Sequence, residues 1–227
     1  MTAFPWRCEP RQARLRTDAM TGLVAADRPG DGLSEVAVAG RAWPGARLLG
    51  IAAENLPGTA AAVVEWLGRQ SDLVAAYEQS ASRPFRIDAV WRSAAPGAAE
   101  PALAAVDLIL SVRTENAGAE LDVALESFVP FAVSEWVEPG CAWFRPTGLP
   151  WSYVETVQPA DACLEEQSFI PEDGAMRLRR RLFPQSLERG VILRVRARGL
   201  FLPANLDAAA VAHCHAAFLS SPPPLDA

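Results

Sequence analysis

From Ser34 onward the chain is cut, at short intervals, by clusters of residues that favour turns. Asn55-Leu56-Pro57-Gly58, Ser82-Arg83-Pro84, Ala95-Pro96-Gly97, Glu115-Asn116-Ala117-Gly118, Pro139-Gly140, Arg145-Pro146-Thr147-Gly148 and Pro171-Glu172-Asp173-Gly174 are the main ones. Between them lie short apolar runs that contain Trp, Val and Phe. Short strands punctuated in this way build sandwiches and barrels.

The runs themselves carry a period of two. In 85–91, Phe85, Ile87, Ala89 and Trp91 share one face, and Arg86, Asp88 and Arg92 the other. In 106–114, Val106, Leu108, Leu110 and Val112 oppose Asp107, Ser111 and Arg113. In 191–198, Val191, Leu193, Val195 and Ala197 point inward while Arg194, Arg196 and Arg198 point outward. A sheet with one buried face explains all three. The stretch 63–79 loosely satisfies helical spacing, yet Gly68-Arg69-Gln70-Ser71-Asp72 sits at its centre, so two strands and a turn are expected.

One helix is signalled, over 206–219. Asp207 stands at the N-cap position, Val211, His215, Phe218 and Leu219 fall near one stripe, and Pro222-Pro223-Pro224 stops it. The expected fold is therefore all-β and mainly antiparallel: a large two-layer β-sandwich, supersandwich-like in size, with one C-terminal α-helix. Residues 1–33, polar and rich in turn formers, read as an irregular N-terminal arm or an edge strand, and 34–227 as a single β-rich domain.

Composition narrows the functions. Apolar residues are 50% of the chain, but 42 of the 227 residues are Ala, so alanine is a poor guide to helices here. The net charge is −6 and there is no lysine, which excludes a P-loop lysine, a Schiff-base lysine and a pyridoxal phosphate anchor. No long uncharged apolar stretch and no leader-like segment is present, so neither a membrane partner nor export is expected, and the cytoplasm is the default. The four cysteines (Cys8, Cys141, Cys163, Cys214) lack C-x-x-C spacing and read as free thiols. A Cys141–Cys163 disulfide would require an oxidising compartment. Gly30-Asp31-Gly32 lacks the third glycine of a dinucleotide loop, and no serine sits in G-x-S-x-G. No cofactor is implied.

Charge is unevenly spread. Residues 1–114 are neutral, 115–173 carry net −11 with Arg145 the only base, and 177–198 carry net +7. Within the basic segment Arg177, Arg179 and Arg181 alternate, as do Arg194, Arg196 and Arg198. A hairpin through 184–190 would place both sets on one face. Like charges directly opposite repel, so such a face needs partners. Either acids from 115–173, Asp122 and Glu126 for instance, pair with it, or it holds an anionic ligand. Nucleic acid is not expected: the acidic total opposes phosphate contact, and no aromatic residue interrupts the arginine ladders to stack a base.

Two sets of residues follow as candidates. Arg177, Arg179, Arg194, Arg196 and Arg198, with Trp151 and Tyr153 as a stacking surface, would bind an anionic or sugar ligand. Glu135, Glu138 and Glu155, near Trp136 and Trp151, are the acids a sugar-acting enzyme would use. His213 and His215 flank Cys214, but two residues on a helix are about 200° apart, so a metal site is not expected. A soluble binding or accessory module is the leading expectation, with catalysis uncertain and disfavoured. A carbohydrate-active enzyme and an oligomerising domain with internally paired charge are the alternatives, and a homo-oligomer is compatible with each.

Overall fold

The computed structural model describes residues 4–53, 63–96 and 101–222. The chain opens with β1 (Trp6–Cys8), β2 (Gln12–Arg16), β3 (Met20–Ala25), β4 (Ser34–Val38) and β5 (Arg41–Ala42), which form a five-stranded sheet in that order. It continues through β6 (Arg47–Ala53), β7 (Val63–Arg69), β8 (Asp72–Tyr77), β9 (Arg86–Ala94), β10 (Ala104–Arg113) and β11 (Gly118–Ala119). Then come β12 (Val123–Pro130), β13 (Ala132–Glu138), β14 (Cys141–Pro146), β15 (Trp151–Val157) and β16 (Ala162–Glu172). The last elements are β17 (Ala175–Leu182), β18 (Leu187–Glu188), β19 (Ile192–Pro203) and the helix α1 (Ala208–Ser220).

An eight-stranded sheet has the order β13-β14-β15-β19-β10-β9-β8-β7, and a four-stranded sheet the order β16-β17-β12-β6. All of their pairings are antiparallel. A bridge between Leu33 and Leu48 links the five-stranded sheet to β6, so these two sheets together make the layer that faces the eight-stranded one. Side chains from all three sheets meet in one large core, among them Leu15, Leu48, Trp91, Leu110, Tyr153 and Leu178. The Trp91 indole crosses between the layers to donate to the Leu49 carbonyl at 3.2 Å. The fold is an all-β sandwich of antiparallel sheets, with one α-helix among the described residues.

The alternation read from the sequence is realised on the eight-stranded sheet. Ile87, Ala89 and Trp91, the set Val106, Leu108, Leu110 and Val112, and Val195 with Ala197 all enter the main core. Val191 does not: it precedes β19 and is 39% exposed. The stretch 63–79 is the expected hairpin, and Gln70 at its turn takes φ 52°. Asp207 caps α1 by accepting the Ala210 amide at 2.9 Å.

The structure refines two expectations and overturns one. Much of 1–33 is regular, since β1, β2 and β3 pair in succession there. The Gly30-Asp31-Gly32 turn is a packing device, for a Cβ on Gly50 of β6 would lie 2.2 Å from the Gly30 carbonyl oxygen. The two arginine runs form no hairpin. β17 joins the four-stranded sheet and β19 the eight-stranded one, while β18 in the connection pairs with β11. The clusters at 55–58 and at Pro223 and Pro224 lie outside the described residues, as does Gly97 of the cluster at 95–97.

Candidate functional site

The outward face of the eight-stranded sheet is organised in rows set by strand register. Arg69, Asp72, Arg92, Asp107 and Arg198 lie abreast on β7, β8, β9, β10 and β19. Their charges alternate, and they pair accordingly. Arg92 grips Asp72 at 2.7 and 2.8 Å, and Arg198 grips Asp107 at 2.6 and 3.0 Å. Such forked contacts give guanidinium groups their strongest hydrogen bonds to carboxylates. The next row is apolar over four strands and ends in a base: Leu67, Val74, Val90, Ile109 and Arg196. Beyond it come Glu65, Ala76, Asp88, Ser111 and Arg194.

The helix α1 covers only part of this face. Val211 and Cys214 pack on Cys141, Trp143, Val154, Leu200 and Leu202, forming a second, smaller core. Arg196 closes the helix C-terminus by donating to the Phe218 carbonyl at 2.9 Å, the Pro222 carbonyl at 3.2 Å and the Ser221 hydroxyl at 2.6 Å. The last carbonyls of a helix have no partner within it, so a cation there satisfies them and opposes the helix dipole. Away from the helix a cavity of about 560 Å³ remains on this face. Its floor is the apolar row from Leu67 to Ile109, and Arg69, Arg113 and Arg194 stand over it with Glu65, Asp88 and Ser111. Arg194 is oriented by a 3.0 Å hydrogen bond to the Ser111 hydroxyl. Arg86, beside the cavity, draws Asp88 at 2.8 Å, Glu78 at 3.2 Å and Glu65 at 3.9 Å, and Arg113 on the rim itself lies 3.8 Å from Asp88.

The candidate arginines therefore divide. Of the outward set on β19, Arg194 lines the cavity, while Arg196 and Arg198 serve the helix and Asp107. The set on β17 meets the acidic segment: Arg177 pairs with Glu172 at 3.2 Å, Arg179 with Glu126 and with Asp122 at 3.8 Å, and Arg181 with Glu166 at 3.1 Å. Arg180, on the opposite face of β17, is wholly buried and donates to the Gly140 and Glu155 carbonyls at 2.9 and 3.1 Å. Burial lowers its pKa, and the Glu155 carboxylate opposes that shift.

Trp151 and Tyr153 offer no surface for stacking. They are 1% and 0% exposed, and their rings pack on Trp43 and Phe201 inside the sandwich. The reason is strand parity, which puts both on the inward face of β15. Glu155 follows them inward: its Oε2 accepts from the Tyr153 hydroxyl at 2.9 Å and the Ser127 hydroxyl at 2.5 Å, and its Oε1 has no hydrogen-bond partner. Burial and the neighbouring carboxylate hold the Tyr153 phenol well above its usual pKa. Glu135 pairs with Arg145 at 2.8 Å on the outward face. Glu138 lines a separate groove beside Trp136. The three candidate carboxylates thus occupy three environments, not one acid–base pair.

His213 is exposed and His215 buried, as two positions apart on a helix require. The His215 Nδ1 lies 2.5 Å from the Thr156 hydroxyl, and burial lowers the ring's pKa. Cys141 and Cys214 are both buried, and burial pushes the Cys141 thiol up to about 12. Among the described residues no group of three or more His, Cys, Asp or Glu is placed to hold a metal ion, and no helix is long and apolar enough to cross a membrane.

Sequence reading missed Arg69 and Glu65, whose strand was ambiguous there. It placed Asp88 and Arg113 on polar strand faces, but which strands neighbour one another is not written in alternation.

A large antiparallel sandwich with an open sheet face is what these features define. No protein-family model matches the chain, and no curated protein matches it by sequence. Solved structures do resemble it. A candidate aldose 1-epimerase from Escherichia coli K12 aligns with a TM-score of 0.58 at 9% identity, over 84% of this chain and 98% of its own. The heparan sulfate lyase HepC from Pedobacter heparinus aligns with a TM-score of 0.50 at 8% identity, over 91% of this chain but 38% of the lyase. At such identities the likeness is one of fold, and it agrees with the sandwich read from the sequence.

Proposed function

We propose that this chain is a non-catalytic binding module that takes an acidic sugar on the open half of its eight-stranded sheet. The observation that carries the reading is the 560 Å³ cavity, in which Arg69, Arg113 and Arg194 stand over an apolar floor. Its size lies within the range of small-ligand sites, and its three arginines outnumber the two acids, Glu65 and Asp88, that share its rim. Guanidinium groups suit carboxylate and sulfate by geometry as well as charge. The named activities of the two structural neighbours, an aldose epimerase and a lyase of a sulfated polysaccharide, favour a sugar over other anions. The dispersal of Glu135, Glu138 and Glu155 favours binding over catalysis.

A thermal-shift series with uronic acids, sulfated oligosaccharides, inorganic phosphate and neutral sugars tests this. A ligand at about 100 times its Kd stabilises the folded state by about 2.7 kcal/mol. An acidic sugar is expected to raise Tm, and the double variant Arg113→Ala, Arg194→Ala to abolish the rise when it is measured from the variant's own ligand-free Tm. A shift that survives the double variant, or one given equally by neutral sugars, removes this site from the account.

A further inference from the structure

The two lateral sides of the sandwich differ. On one, the edge strand β7 is closed against β1 and the turn that follows it: the Trp66 indole donates to the Glu9 carbonyl at 2.9 Å, and the Trp6 indole to the Ser71 carbonyl at 2.9 Å. On the other, β13 ends the eight-stranded sheet and β16 ends the four-stranded one, and no strand among the described residues pairs with their outer sides. Between these two edges lies a groove of about 520 Å³, lined by Trp136, Val137, Glu138, Pro139, Leu164 and Gln167. An unpaired edge presents backbone donors and acceptors in register, which is the template another extended chain needs.

This groove is built, apolar and acidic at once. Trp136 is 39% exposed, yet it is fixed by stacking on Phe169 at 4.3 Å and by the Arg180 guanidinium at 5.2 Å. Val133, on the same edge, is 61% exposed and Phe131 just before it 71%. The Gln167 Oε1 is buried with no hydrogen-bond partner, an acceptor lacking a donor. Both strands come from the segment of net −11. Glu135 and Glu166 there are matched by Arg145 and Arg181, whereas Glu138 and Glu165 make no ion pair among the described residues.

We infer that this edge receives an extended basic segment of a partner protein, added to β13 as a further antiparallel strand. Backbone pairing supplies affinity in this mode, and alternate side chains supply specificity. Apolar side chains of the incoming strand enter the groove beside Trp136, and its Arg or Lys donors meet Glu138, Glu165 and the Gln167 Oε1. A second copy of this chain is the poorer occupant. Antiparallel pairing of β13 with itself about its centre would set Glu135 against Glu135, and like charges directly opposite destabilise a sheet.

Isothermal titration of the full chain with a ten-residue peptide alternating Arg and Val, and with its Glu–Val counterpart, tests the inference. The basic peptide is expected to bind and the acidic one not. The double variant Glu138→Lys, Glu165→Lys, at exposed positions, is expected to weaken binding at least tenfold. A matched reversal on the far side, Glu9→Lys with Asp18→Lys, is expected to change it less than twofold. No binding of the basic peptide overturns the inference, as does equal weakening by the two double variants. Concentration-dependent dimerisation that the Glu138→Lys, Glu165→Lys variant alters would give the edge to a second copy and overturn it too.

Discussion

His215 shows how one buried side chain makes the fold sensitive to acid. Its ring lies beneath α1, against Thr156 of β15, where burial disfavours the imidazolium. The folded state therefore binds the proton more weakly than the unfolded chain, whose imidazole titrates near its ordinary 6.5. Above that value both states are neutral and the contribution is complete. As pH falls through 6.5 the unfolded state takes up protons first, so stability declines. Tm is expected to drop between pH 7 and pH 5, and His215→Gln to flatten that part of the profile. An identical slope in the variant would assign the acid sensitivity to other groups. Gly199 makes a second point at this scale. A Cβ there would lie 2.9 Å from the Tyr153 ring, so the ring's position in the core depends on a residue with no side chain.

At the scale of elements, charge decides how α1 ends. The helix docks through Val211 and Cys214, Phe218 is buried under the Arg196 and Arg198 guanidinium groups, and Arg196 holds the final turn by hydrogen bonds. Arg196→Ala removes them together with the contact of the guanidinium over the Phe218 ring at 4.3 Å. A loss of about 1.5–3 kcal/mol is expected, the range for hydrogen bonds made by charged groups. Hydrogen exchange should locate it, with faster exchange of the amides of Phe218 to Ser221 and none in β10. Arg194, two residues earlier on the same face, donates to the Ser111 hydroxyl at 3.0 Å, and Arg194→Ala is expected to leave the Phe218 to Ser221 amides exchanging as before. The sequence alone gave these two arginines the same standing, and only the position of the helix separates them. The ladder on β17 was better foretold: repulsion within it called for acids, and Glu126, Glu166 and Glu172 supply them.

For the whole molecule, the joint between the two layers is partly polar. Glu155 of the eight-stranded sheet accepts from Ser127 of the four-stranded sheet, and Ser127 in turn receives the Leu49 amide at 2.9 Å. Arg180 crosses the other way to the Glu155 and Gly140 carbonyls. Glu155→Ala strips an acceptor from two buried hydroxyls and the compensating charge from a buried guanidinium. A buried polar group left unpartnered costs about 1–3 kcal/mol and an unpaired buried charge more. The variant is expected to lose at least about 3 kcal/mol in urea denaturation, with loss of cooperativity across both layers. If Glu155→Ala instead leaves stability intact, this network is not what joins the sheets.

Local sequence carried the class of fold, the alternation along β9, β10 and most of β19, the hairpin at 63–79 and the helix with its Asp207 cap. These follow from local regularities: a period of two, turn residues at their ends, and a side chain that satisfies its own helix. It also fixed the partition of charge and the need of the β17 arginines for acids. The packing of distant strands set the rest: the two arginine runs lie in different sheets, Trp151, Tyr153 and Glu155 face the core, and one half of the outer face stays uncovered. Alternation tells which residues share a face of a strand, but not which strands lie side by side or what lies across from each face. Those depend on contacts between segments a hundred residues apart, and no local pattern encodes them.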